Sequence, residues 1–380
     1  MDNKKLKNYI LIQNLANGLA SPFMSFLATV IGVPNVGISI VSSASSFFSG
    51  VVQLPLRRVR RVEQLLKFST LLLAVLWFIM AFIAYGNPIM YLITYVLIAG
   101  VGGANSFAWA LIMERLSRGG SRGGWVLANF AFYGSIGSLL ATLITGVIVG
   151  SNYVVMHYVF MTTASLIFIN AINAWSIESA DPSDQVITEP LSMLRSNRKL
   201  TRFLLINTLF AIVWSFAWPL FPLAQVYLLN MNVEQLAIVN VISGVSTLAL
   251  QRFVGRWFDR NRKLVMLLGG RLLLVTFPLS YALANNVYVI YLANTVAGGF
   301  TNSASNVAYI SFVYDNSEDR RTAVSLYNLF YGVGTLIGSL IGGALVTVVA
   351  NYVGLKDSIR YMLLGDATAR ALTAMLYVSV

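Results

Sequence analysis

Apolar residues in this chain come in long runs separated by short polar breaks. Twelve runs can be delimited, at approximately 8–31, 36–56, 65–86, 88–113, 124–149, 153–176, 201–229, 234–254, 264–284, 287–314, 322–349 and 359–379. Each holds about 20–28 residues, the length a helix needs to cross about 30 Å of hydrocarbon. The pattern predicts an all-α polytopic membrane protein of twelve transmembrane helices with short connections and no separate soluble domain. The first run follows a basic start, "MDNKKLKN". It extends past twenty residues without a cleavage site, so it reads as an uncleaved span and not as a signal peptide.

Composition agrees: 57% of the residues are hydrophobic, above the roughly 45–50% of soluble domains. The formal net charge of +12 raises the question of nucleic acid, and the placement of the charge answers it. The connections "IGVPNVG", "YGNP", "GSN", "NMNVEQ" and "ANNVY" contain no Lys or Arg. The N-terminus, the loops after spans 2, 4, 6, 8 and 10 and the span ends adjoining them hold 22 of the 26. This is the positive-inside pattern of a multi-pass protein of the cell membrane, with both termini and the basic loops in the cytoplasm; no nucleic-acid partner is expected. Cysteine is absent, which excludes disulfide and thiol chemistry. His157 is the only histidine, and no metalloprotease, nucleophile-elbow or P-loop pattern occurs. No catalytic residue, metal site or cofactor is therefore expected.

The longest polar stretch, "SIESADPSDQVITEPLSMLRSNRKL", divides the spans six and six. It delimits an N-terminal bundle over 1–176, a cytoplasmic linker over 177–200 and a C-terminal bundle over 201–380. The halves repeat. Pro22 and Pro219 stand 197 residues apart, as do Asn105 and Asn302, while Arg122 with Arg321 and Asn129 with Asn328 are 199 apart. An even number of spans per repeat gives both halves the same orientation, a transporter architecture.

Between spans 8 and 9 lies "GRWFDRNRK", and between spans 2 and 3 lies "GVVQLPLRRVRR". The first resembles the Gly-x-x-x-Asp-Arg-x-Gly-Arg-Lys signature of the major facilitator superfamily (MFS). Gly255, Asp259, Arg260, Arg262 and Lys263 match it, without the inner glycine. In the second copy Gly50 matches, but Leu54 stands where the aspartate belongs. The resemblance implies the MFS fold, twelve helices in two pseudo-symmetric six-helix halves, with these loops as a reversible cytoplasmic gate. Plain positive-inside anchoring is the alternative, and it needs only the cations.

The resemblance also implies a substrate cavity among spans 1, 4, 7 and 10. Candidate lining residues recur there at helical spacing: Asn14, Asn17 and Ser21; Asn105 and Trp109; Trp214 and Trp218; Asn302 and Asn306. An amide facing hydrocarbon without a partner is costly, so these faces look inward, onto either a wet cavity or one another. Neutral amides beside aromatic rings suit a neutral polar or amphipathic small molecule. Asp366, Arg370 and Arg271 lie deeper within the other spans than the charges at span ends. Asp366 and Arg370, at i and i+4 in span 12, are candidates for coupling to protons or for a structural pair. Arg271 is expected to snorkel from span 9 to the headgroups. Val96 and Ser138 stand where proton-linked exporters of the family carry Arg and Pro. The glycines of "GVGTLIGSLIGG" are expected to serve close helix packing. The expected function is secondary transport by alternating access, as a monomer in the lipid bilayer, exporting a drug-like compound or metabolite. Import or facilitated diffusion of a neutral solute such as a sugar is the alternative. A membrane sensor or lipid scramblase on the same fold is the alternative of another class.

Overall fold

The computed structural model is almost wholly helical and describes residues 3–59, 61–118, 123–177, 189–261, 264–269 and 271–379. Among the described residues, nine helices are long and apolar enough to cross a membrane. The other three expected spans also coincide with helical segments. Span 1 is Asn3–Ala20 and Met24–Val30 around a 3-10 turn, span 10 is Val287–Ala293 and Gly299–Asp315 around a π turn, and span 12 is Leu355–Ala374. Two are interrupted and the third carries four charged residues, Asp357, Arg360, Asp366 and Arg370, besides Lys356. Composition alone therefore scores them lower than their neighbours.

Starts are set by side-chain caps. Asn87 accepts from the N–H groups of Ile89 and Met90 ahead of span 4, Asn197 from Leu200 ahead of span 7, and Asp319 from Thr322 ahead of span 11. Proline sets the interruptions. Pro22 lacks the N–H that would bond to Gly18, and Thr142 of span 5 donates to that freed carbonyl at 2.9 Å. Its repeat counterpart Pro219 follows the end of helix Arg198–Phe216, and helix resumes at Leu220.

Two compact units emerge. The first comprises Met1–Met24, Arg58–Gln185 and Asn232–Ala237, and the second Ser25–Arg57, Val186–Met231 and Ile238–Val380. The second unit thus includes span 2. Helix Asn35–Leu56 lies along span 11, Arg320–Val353: Asn328 Nδ2 donates to Gln53 Oε1 at 2.6 Å, Ser339 Oγ to the Ser39 carbonyl at 2.8 Å, and Asn35 Nδ2 to Thr347 Oγ1 at 3.0 Å. Small residues permit the approach. A Cβ on Gly50 would overlap the Asn328 backbone, and one on Gly338 would overlap the Ile212 carbonyl of span 7. The glycines of "GVGTLIGSLIGG" are thus contact points between helices. Gly50→Val is expected to lower the melting temperature of the purified protein through overpacking of about 1–3 kcal/mol. Gly255→Ala, where a Cβ meets nothing within 4 Å, is expected to leave it unchanged. Equal melting of the two variants would refute the contact.

Candidate functional site

In the first unit, span 1 carries Asn14, Asn17 and Ser21 on one side. Asn17 and Ser21 are exposed. Asn14 is half-buried, and its Nδ2 donates to the Ile10 carbonyl at 2.8 Å. Asn105 of span 4 behaves differently. It is 4% exposed, and its Nδ2 lies 3.1 Å from Tyr9 Oη, 3.0 Å from Ser69 Oγ and 2.9 Å from Thr70 Oγ1. Its amide ties span 4 to spans 1 and 3, the helix-gluing alternative for an intramembrane asparagine. Trp109, one turn further on, stacks on Tyr9 with ring centroids 5.3 Å apart. Sequence reasoning did not single out Tyr9, Ser69 or Thr70. The available signal was that Ser69 and Thr70 are the only hydroxyl side chains in span 3 before Tyr85.

In the second unit, the half-buried rings of Trp214 and Trp218 meet edge to face at 5.1 Å, and Trp214 approaches Tyr331 of span 11 at 5.9 Å. Asn302 is exposed and donates to Ser243 Oγ at 3.1 Å and Thr247 Oγ1 at 3.4 Å, both in span 8. The backbone at Asn306 continues the same helix, but its side chain lies outside the described residues. Of the signature loop, Gly255 and Arg260 are described, and Arg260 is exposed. The Asp259 side chain, Arg262 and Lys263 lie outside the described residues. In the other copy, where Leu54 replaces the acid, the Arg57 guanidinium lies 4.0 Å from the carboxylate of Glu189. That contact joins the end of span 2 to the end of the linker and is weak, because Glu189 is largely solvated.

The Asp366–Arg370 pair and Arg271 are sequestered. Arg370 Nε sits 2.6 Å from Asp366 Oδ2, with neither side chain accessible. The same guanidinium donates to the carbonyls of Leu274 at 2.9 Å and Trp214 at 2.7 Å. Both carbonyls lack their helical partner: Leu274 precedes Pro278 by four residues, and the Trp218 N–H bonds to Ser215 instead. Arg370 therefore caps two breaks, in spans 7 and 9, from span 12. Beside it a cavity of about 370 Å³ opens among Ile212, Phe216, Ile341, Leu345 and Met362, with Asp366 in its wall.

Arg271 corrects an expectation. It is 2% exposed and does not reach toward headgroups. Its guanidinium carbon lies 3.9 Å from the ring centre of Tyr309, 4.4 Å from Phe210 and 5.0 Å from Tyr377, and Nη2 donates to Asn207 Oδ1 at 2.6 Å. The reason is these partners, met at a break in the helix. Span 9 runs as a π segment, Val265–Gly269, then a 3-10 segment, Leu272–Val275, and Arg271 itself has φ −134° and ψ −54°.

Residues 203–377 match the family model described as Major Facilitator Superfamily. A search of curated proteins finds no match. Among solved structures, the nucleoside transporter NupG is 16% identical with a TM-score of 0.75, over 100% of this chain and 99% of its own. An auto-inhibited POT family peptide transporter is 12% identical with a TM-score of 0.77, over 99% and 96%. A bacterial homolog of the human lysosomal transporter Spinster, inward-facing and occupied, is 11% identical with a TM-score of 0.71, over 99% and 95%. At these identities the likeness is one of fold, and it spans the whole chain.

Proposed function

We propose that this chain is a secondary transporter of the major facilitator superfamily, whose family model matches residues 203–377, and that it exports a neutral, amphipathic small molecule, a drug-like compound or metabolite, by alternating access. One observation carries the substrate class. Among the candidate residues of spans 1, 7 and 10, the accessible polar groups are neutral: Asn17, Ser21, Asn302 and the indoles of Trp214 and Trp218. The charges of spans 9 and 12 are engaged elsewhere, in the Arg271 cage and the Asp366–Arg370 pair. In this reading the neutral groups of each unit, with Trp109, contact the substrate, and Asn105 holds spans 1, 3 and 4 together. The Gly255–Lys263 loop serves as the gate. The protein works as a monomer in the cell membrane, with both termini and the basic loops in the cytoplasm. The sequestered Asp366 favours a second reading, facilitated diffusion or import of a neutral solute such as a sugar without protons.

Substrate counterflow in proteoliposomes tests the proposal, with pooled nucleosides, sugars, peptides and uncharged aromatic compounds. One neutral pool is expected to exchange. Asn302→Ala with Trp214→Ala is expected to raise KM about tenfold or more, corresponding to about 1.4 kcal/mol, at unchanged protein recovery. Exchange confined to charged solutes, or an unchanged KM in the double variant, would defeat the substrate assignment. A pH-sensitive dye in the same vesicles separates the readings, because proton movement with substrate supports coupled export and its absence favours the facilitator.

A further inference from the structure

The linker enters span 7 through a rigid elbow. Helix Pro190–Ser196 meets helix Arg198–Phe216 at Asn197, and Thr201 Oγ1 donates back to the Leu194 carbonyl at 2.7 Å. On the outer side of this elbow Arg198 and Arg202 sit one turn apart, both exposed. Neither has an ion-pair partner among the described residues. The same helix face continues with Leu205 and Leu209, which are 57% and 45% exposed. Leu205 lies about 10 Å beyond Arg198 along the axis. A cavity of about 540 Å³ follows this face, walled by Leu194, Arg198, Arg202, Leu205, Ile206 and Leu376 of the last turn.

Two guanidiniums at the mouth of an otherwise apolar groove, on a helix that spans the membrane, form an amphipathic receptor. Guanidinium binds phosphate oxygens in a bidentate fork, and a helix's first turn adds positive potential there. A paired carboxylate would have neutralised these cations, and among the described residues none is within ion-pair distance of either. Exposed leucines one and two turns deeper would lie against acyl chain. Basic pockets beside transmembrane helices hold anionic headgroups for these reasons.

We propose that this groove is a binding site for an anionic phospholipid, its phosphate between Arg198 and Arg202 and one acyl chain along Leu205 and Leu376. Generic attraction to an anionic surface would depend on the number of basic residues and not on which ones. A site depends on these two, and on guanidinium more than ammonium. The inference stands apart from transport, since binding is read on the purified protein without flux.

The test is lipid retention by native mass spectrometry and melting temperature, with phosphatidylglycerol or phosphatidylcholine added to delipidated protein. Wild type is expected to retain phosphatidylglycerol selectively and to melt higher with it. Arg198→Gln with Arg202→Gln is expected to weaken retention at least tenfold and to remove the melting shift, while Arg198→Lys with Arg202→Lys keeps part of both. The charge-matched control, Arg252→Gln with Arg256→Gln on span 8, is expected to keep both in full. An equal loss in the control would reduce the effect to bulk charge. Equal retention of phosphatidylcholine would leave only an apolar groove, and displacement by inorganic phosphate at matched concentration would make it an anion site without the acyl chain. Each of these three results overturns the proposal.

Discussion

Arg370→Met is expected to cause the largest loss of folded protein of any single change to the spans. The substitution removes one partner of a fully buried pair, leaving Asp366 as an uncompensated charge, at a cost of about 3–5 kcal/mol. It also uncaps the carbonyls of Leu274 and Trp214, which breaks in spans 9 and 7 leave without helical partners; an orphaned buried acceptor costs about 1–3 kcal/mol. Together these approach the roughly 5–15 kcal/mol that holds a typical fold. The two contributions separate experimentally. Asp366→Leu with Arg370→Met removes the orphaned charge but not the orphaned carbonyls, so intermediate stability is expected. Asp366→Asn keeps both caps but leaves the buried Arg370 charge unpaired, so it should melt below wild type and above Arg370→Met. Melting in detergent and the monodisperse fraction on size exclusion measure the order. An Arg370→Met protein that melts like wild type would show that the clasp contributes nothing to stability. If Asp366→Asn abolished proton-linked flux while melting normally, the pair would belong to coupling and not to architecture.

The second large effect is expected at Arg271. Cation–π attraction reaches about 2 kcal/mol or more when desolvated, and three rings surround this guanidinium. Asn207 Oδ1 accepts from Arg271 at 2.6 Å and from Tyr377 Oη at 2.9 Å, so the cation also anchors the end of the chain to span 7. Arg271→Met should lower the melting temperature strongly. Arg271→Lys should fall between, because a compact ammonium retains the charge but cannot lie flat on the rings while reaching Asn207. A snorkelling arginine would behave otherwise: lysine would replace it without loss, and methionine would cost little. Equal stability of wild type and the lysine variant would therefore return Arg271 to the membrane surface.

The residues that carry these predictions show how far a single sequence reaches. Run length depends only on how each segment partitions between hydrocarbon and water, so the class of protein and the nine apolar helices among the described residues were legible without any contact. The Asp366–Arg370 pair was legible too, because i and i+4 share a helix face whatever surrounds the helix. Pro22 and Pro219 were legible only as matching positions of the two halves, and the breaks beside them came from the structure. What lies across from a face is another matter. Asn14, Asn17 and Asn105 look alike in sequence, yet Asn17 is exposed while Asn105 is closed off by Tyr9, Ser69 and Thr70 from two other spans. Arg271 faces inward, where Phe210, Tyr309, Tyr377 and Asn207 of other spans surround it, and none of these partners is visible from span 9 alone. The second role of Arg370 needed two carbonyls, 96 and 156 residues away. By itself, then, the sequence determined which segments enter the membrane and which side chains share a face. Only the tertiary structure decided which polar groups satisfy one another and which stay open to a ligand, because inside a bilayer that depends on the partner a neighbouring helix brings.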